Sequence, residues 1–130
     1  MVEVKVGALA IIRHGAYDYN RPDHSIGISG VGRSQIVSAA NKVLLINSGV
    51  KYALVVSSGN GQAVESRKVF CRYLESNQVC FAEEELGYSY WKFDDDHASW
   101  LEETVKNHDN IDLMVVIAHD NFFDYISWFS

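Results

Sequence analysis

Three short stretches of this chain are apolar at every position and then stop abruptly at polar side chains. They are Ala8-Leu9-Ala10-Ile11-Ile12 before Arg13-His14-Gly15, Tyr52-Ala53-Leu54-Val55-Val56 before Ser57-Ser58, and Leu113-Met114-Val115-Val116-Ile117-Ala118 before His119-Asp120. Each run is too short for a full helix, and its apolar continuity leaves no face for solvent. Each is therefore expected to be a buried strand of a parallel sheet, the first of them central. Between the runs the apolar residues space out. Ser29 offers an N-cap, Val31, Ile36, Val37, Ala40, Val43, Leu44 and Leu45 form a stripe at helical spacing, and Asn47-Ser48-Gly49 stops it. After the second run, Ser57-Ser58-Gly59-Asn60-Gly61 turns into a helix expected over about Gln62 to Glu75. Further on, Gln78 to Phe81 suggests a short strand, the acidic and aromatic segment from Ala82 to Asp96 a lid or wall, His97 to His108 a helix, and Phe122 to Ser130 a last helix. Strands alternating with helices imply parallel pairing through right-handed crossovers. The expectation is one α/β domain over residues 1–130, a three-layer α/β/α sandwich with a mainly parallel central sheet.

In such a sheet ligands bind beyond the carboxyl ends of the strands, which is where Arg13, His14 and His119 emerge. If the first and third runs are neighbours, the two imidazoles and the guanidinium converge. Gly15 is expected to let the backbone turn sharply and approach a ligand closely. Such a site must be a local concentration of positive charge, because the formal net charge is -6 and the pI near 5.2. That balance argues against nucleic acid or an anionic membrane as the main partner. The start of the chain lacks a secretory pattern and no run approaches membrane-spanning length, so the cytoplasm is the expected location. Cys71 and Cys80 form no Cys-x-x-Cys pair, and neither they nor His97 and His108 have metal-ligand spacing. Free thiols, buried or half-buried, and no metal or cofactor are expected. Asp94-Asp95-Asp96 could suggest a phosphoaspartate receiver, but a receiver needs acids after its first strand, where this chain has Arg13-His14.

Taken together, the segments resemble the histidine phosphatase superfamily, the phosphoglycerate-mutase-like fold that includes bacterial phosphohistidine phosphatases. Ile12-Arg13-His14-Gly15 is similar to its Arg-His-Gly signature, and Tyr19-Asn20-Arg21 falls where many members have an aromatic residue, a phosphate-reaching asparagine and often an arginine. Ile28-Ser29-Gly30-Val31-Gly32-Arg33-Ser34-Gln35 resembles Leu-Ser/Thr-x-x-Gly-x-x-Gln. Ser57-Ser58-Gly59-Asn60-Gly61-Gln62-Ala63 stands where the family has Ser-Ser-Pro-x-x-Arg-Ala, and Phe81-Ala82-Glu83-Glu84-Glu85-Leu86-Gly87 parallels Leu-x-Glu-x-x-x-Gly. Val116-Ile117-Ala118-His119 parallels the strand that leads to the second histidine.

The resemblance implies a phosphatase acting on a phosphomonoester or phosphohistidine of a small molecule or phosphoprotein. His14 would be the nucleophile, with Arg13 and His119 stabilising the transferring phosphoryl group. Asn20, Arg21 and Gln62 would join Arg13 and His119 in binding phosphate, and Glu83 would be the acid that protonates the leaving group.

The chain also departs from the pattern: Gln62 replaces the second phosphate-binding arginine, Ala16 the glutamate usual in mutases, and Gly59 the usual proline. Hydrolysis is therefore expected rather than mutase chemistry. Arg21, Arg33 and Arg67 are the candidates to supply the missing cation, Arg21 foremost. The alternative is a catalytically impaired phospho-ligand or protein-binding module of the same fold. Phe122, Phe123, Tyr125, Ile126, Trp128 and Phe129 surround most of the last helix with apolar side chains, which implies self-association there or a longer natural chain.

Overall fold

The computed structural model describes residues 7–16, 18, 27–59, 61–85, 103–108 and 110–118. Within them the chain runs β1 (Ala8–Arg13), α1 (Gly30–Ile46), β2 (Tyr52–Ser57), α2 (Gly61–Ser76), β3 (Cys80–Glu85) and β4 (Leu113–Ala118). The strands form one sheet in the order β1-β4-β2-β3, and every neighbouring pair is parallel. This is the α/β class anticipated from the alternation of apolar runs and helical stripes.

Layering explains the apolar runs. On the face shared with α1 and α2, Ala53, Val55, Leu113, Val115 and Ile117 pack with Ile36, Ala40, Phe70 and Leu74. Side chains alternate along a strand, so Leu54, Val56, Met114 and Val116 point to the opposite face, and these too are buried. Being covered on both faces, β2 and β4 have no position at which a polar residue would be tolerated cheaply. Ser29 caps α1 as expected, its hydroxyl accepting from the Gly32 N–H. At the other end the Asn47 N–H returns to the Val43 carbonyl, and Gly49 takes a φ of +85° that a side chain would resist.

Some expectations are corrected. β1 is the outermost of the described strands, paired with β4 alone, and its apolar residues are half-buried rather than central. Apolar continuity reports cover on both faces and carries no information about lateral order. β3 continues through Ala82, Glu83, Glu84 and Glu85, which were expected to begin an irregular excursion. Their side chains have partners on both faces: Arg67 of α2 meets Glu83 and Glu85, while His108 meets Glu84 from the opposite side. Along α1, Ile36 and Ala40 are buried, but Val31 and Leu45 are 67% and 72% exposed. At about 100° per residue these two point away from the Ile36 side, so the stripe is narrower than its apolar content implied. Cys71 is buried as expected, but Cys80 is exposed.

Of the helix expected over His97 to His108, residues 103–106 are helical and Thr104 and Val105 are buried. The rest of that segment before them and the C-terminal helix lie outside the described residues. No helix among the described residues is long and apolar enough to cross a membrane.

The lower ends of β2 and β4 are tied by one carboxylate. Asp112 Oδ2 accepts from the N–H groups of Lys51 and Tyr52, each at 3.0 Å. These bonds, Lys51 first, hold its carboxyl below the ordinary value of 3.8. A carboxyl depressed in the folded state adds stability above its ordinary value and loses it as pH falls through the folded one. Asp112→Ala should therefore lower the urea midpoint at neutral pH, with the difference from wild type shrinking below about pH 4. A gap that stayed constant down to about pH 2 would contradict this account.

Candidate active site

The last in-register pair of the two neighbouring strands is Arg13 of β1 with Ala118 of β4. In the chain, His14 and His119 are the next residues after these two, so the strands that precede the two histidines are parallel neighbours. His119 itself lies outside the described residues, as do Asn20 and Arg21. Beyond β1 a cavity of about 500 Å³ opens between the strand end and the helices. Ile12, Ile36 and Ala39 supply apolar wall, while Arg13, His14, Gln35 and Gln62 supply polar groups. Among the described residues, no carboxylate lines it. Gln62 is the second residue of α2, so the amino end of that helix, the positive end of its dipole, is at the same region.

The loop that carries His14 is fixed from several sides. The Gly15 N–H donates to Ser66 Oγ at 2.8 Å, and the Ser66 hydroxyl donates to the Gln62 carbonyl at 2.7 Å. The Ala16 N–H donates to Gln35 Oε1, and the Ala16 carbonyl accepts from the Ser29 N–H at 2.8 Å. Gly15 and Gly32 pack backbone to backbone: a Cβ on Gly15 would stand 2.6 Å from the Gly32 carbonyl oxygen, and one on Gly32 would stand 2.6 Å from the Ala16 nitrogen and oxygen. The expectation that Gly15 serves a sharp turn is thereby revised. Its φ is not among the positive ones, and its missing side chain makes room for α1.

The imidazole of His14 has its Nδ1 2.9 Å from the Gly15 carbonyl oxygen. A carbonyl can only accept, so Nδ1 carries the hydrogen. In the neutral ring the lone pair is therefore on Nε2, and Arg13 lines the same cavity.

Glu83 is placed elsewhere. Its Oε1 accepts from Arg67 Nε at 3.1 Å. In register it stands level with Val55, Val115 and Ala10. That is four residues short of His14 and three strands across, roughly 13 Å along and roughly 14 Å sideways at ordinary strand spacings. Backbones separated by about 19 Å on this reckoning cannot be bridged by a glutamate side chain. Arg67, also proposed from sequence as a spare cation, is spent on the same cluster. Only 8% exposed, it donates to Glu83, Glu85 and Ser57 Oγ. Burial first, and then Glu83 through its charge and a hydrogen bond, pushes the Cys71 thiol well above its ordinary range, so it stays protonated. Arg33 is exposed and borders a different groove, with Val37 and Arg72. Ser66 was not singled out from sequence: a lone serine inside a helix carries no signal of what lies across from it.

No protein-family model matches the chain, and no curated protein matches it by sequence. Solved structures do match in fold. A protein histidine phosphatase SixA complexed with tungstate aligns at 17% identity over 92% of this chain and 73% of that one, with a TM-score of 0.63. A mycobacterial glucosyl-3-phosphoglycerate phosphatase complexed with VO3 aligns at 18% identity over 92% of this chain and 78% of its own, with a TM-score of 0.55. A phosphoglycerate mutase from Plasmodium falciparum aligns at 15% identity over 88% and 69% of the two chains, with a TM-score of 0.50. The chain therefore has the phosphoglycerate-mutase-like fold that these solved structures share.

The glycine contact makes a sharp comparison. Gly32→Ala should cost about 1–3 kcal/mol of stability, because backbone atoms rather than a side-chain tip stand in the way. Gly30→Ala, whose added Cβ meets nothing within 4 Å, should change stability by less than about 1 kcal/mol. Equal losses in the two variants, by chemical denaturation, would show that the contact is not what matters.

Proposed function

We propose that this chain is a histidine-phosphatase superfamily member that hydrolyses a phosphomonoester or phosphohistidine through a phosphohistidine on His14. The observation that carries the reading is the Nδ1–H···O=C bond to Gly15, which puts the lone pair of the neutral ring on Nε2, in a histidine that lines the same cavity as Arg13. In the proposed reaction Nε2 attacks phosphorus, the P–N bond forms, and the bond to the leaving group breaks. Water then attacks phosphorus, the P–N bond breaks, and inorganic phosphate leaves. Arg13 and His119 stabilise charge on the non-bridging oxygens, with Asn20, Arg21 and Gln62 completing the phosphate shell.

Glu83 takes no part in the chemistry as proposed, since its carboxylate is paired with Arg67. Without a carboxylic acid at the cavity among the described residues, the leaving groups favoured are those that depart with little help, such as an imidazole or an aryl oxide. That preference supports phosphohistidine over an alkyl phosphate. It also supports a phosphatase over a mutase, whose site must hold and protonate a second phosphorylated oxygen.

A second reading, a phosphate-binding module with impaired turnover, is favoured by Gln62. A glutamine keeps a donor but lacks the fixed charge and forked geometry with which arginine grips phosphate. Losing such a donor typically costs about 10²–10³ in rate. Wild type is expected to hydrolyse an aryl phosphate slowly, His14→Ala to be inactive, and Gln62→Arg to gain at least about tenfold in kcat/KM, some 1.4 kcal/mol. If wild type bound phosphate but turned over no faster than His14→Ala, and Gln62→Arg gained nothing, the binding-module reading would replace the enzyme.

A further inference from the structure

We propose that Gln35 is the positioning residue for the reacting imidazole: from α1 it fixes the Gly15–Ala16 peptide, whose carbonyl holds His14 in the Nδ1–H tautomer. The proposal rests on the reading of His14 as nucleophile. The carbonyl that takes the ring hydrogen, at 2.9 Å, and the N–H that donates to Gln35 Oε1, at 3.0 Å, are the two ends of one peptide group. That group is planar and trans, so its C=O and N–H point in opposite directions. Holding the N–H toward Gln35 therefore holds the carbonyl toward the ring, and neither end can turn without the other.

The neighbouring bonds do not have this effect. Ser66 accepts from the Gly15 N–H and Ser29 donates to the Ala16 carbonyl, but these groups belong to the peptides before and after. Between them the Gly15–Ala16 group can still turn about the line joining its two Cα atoms, and glycine, which lacks a Cβ, does little to resist. The restraint comes from two residues of α1. Gly32 brings the helix so close that a Cβ there would stand 2.6 Å from the Ala16 nitrogen. Gln35 is three residues further on, hence on the same face of the helix, and presents the acceptor.

The position needs a side chain of this length that ends in an oxygen. With the oxygen gone, water can satisfy the Ala16 N–H, but a water molecule is not anchored to α1 and does not aim the peptide. A carbonyl free to turn no longer selects the tautomer. The Nε2–H form, which has no lone pair on the attacking nitrogen, then becomes populated.

The test uses the full chain with ring-labelled histidine, comparing wild type with Gln35→Met, which loses the oxygen, and Gln35→Glu, which keeps an acceptor. Gln35 is exposed, so neither substitution disturbs the core. Ring-nitrogen NMR is recorded at about pH 9, above the ordinary histidine range, and the His14 signals are identified by their loss in His14→Ala. Wild type and Gln35→Glu should show the Nδ1–H form, and Gln35→Met a mixture with the Nε2–H form. With an aryl phosphate, Gln35→Met should lose roughly three- to tenfold in kcat, in proportion to the fraction of rings that leave the Nδ1–H form. A wild-type ring in the Nε2–H form overturns the proposal. So does a Gln35→Met protein that keeps the Nδ1–H form as fully as wild type, or a Gln35→Glu protein that loses it as Gln35→Met does. If wild type has no turnover at all, the phosphatase reading fails while the tautomer measurement still decides the role of Gln35.

Discussion

The candidate site depends on one steric constraint, the backbone contact between Gly15 and Gly32. A Cβ on either residue would overlap main-chain atoms of the other segment by far more than packing tolerates. Without that approach the amino end of α1 could not reach the loop after β1. Ser29 could not both cap α1 and donate to the Ala16 carbonyl, nor could Gln35 accept from the Ala16 N–H. The loop is thus built into the first turns of α1 and α2. A site assembled in this way owes its geometry to regular elements, although His14 itself stands on a loop.

Electrostatics follow the same division of labour. The protein is acidic overall, and β3 alone ends in three consecutive glutamates. Each is held at a cation or imidazole: Glu83 and Glu85 by Arg67, and Glu84 by His108, which also meets the Tyr52 hydroxyl at 3.3 Å. Arg67 is nearly buried and would be costly to leave unpaired. Its partners are partly exposed, so the cluster is better understood as a brace joining α2, β2 and β3 than as a large source of stability. Its bearing on the cavity is indirect. Its carboxylates belong to β3, which β2 and β4 separate from β1, so among the described residues they stand away from Arg13 and His14.

How much of this could be read from the chain alone varied with the range of the interaction. The runs at Tyr52 and Leu113 showed their burial because cover on both faces removes every polar position, and the Ser29 cap was visible because a capping hydroxyl acts within one turn. The place of the Ala8 run in the sheet was not visible, since pairing order is decided by residues a hundred positions apart. Glu83 stands away from the cavity for a related reason. Its spacing to Gly87 satisfied a pattern, but the register of β3 on β2 sets how far along the sheet a carboxylate stands, and no local spacing encodes that register. Arg13, His14 and Gln62 line one cavity, and each lies directly at the end of an element, where sequence position and spatial position coincide.

The shape of the cavity bears on what the proposed nucleophile would act upon. A phosphoryl group occupies only a small part of about 500 Å³. Part of the wall is supplied by Ile12, Ile36 and Ala39, whose side chains offer contact area but no hydrogen bonds. A ligand hydroxyl set against those side chains would be buried at a cost unless Gln35 or another polar group reached it. A flat, weakly polar leaving group incurs little of that cost. Because the chain is acidic and long-range charge is screened beyond about 8 Å at physiological salt, an anionic ligand gains little from the protein's overall field. Under the proposed reading its affinity would come from contacts within the cavity, where Arg13, His14, Gln35 and Gln62 are the charged and polar side chains among the described residues.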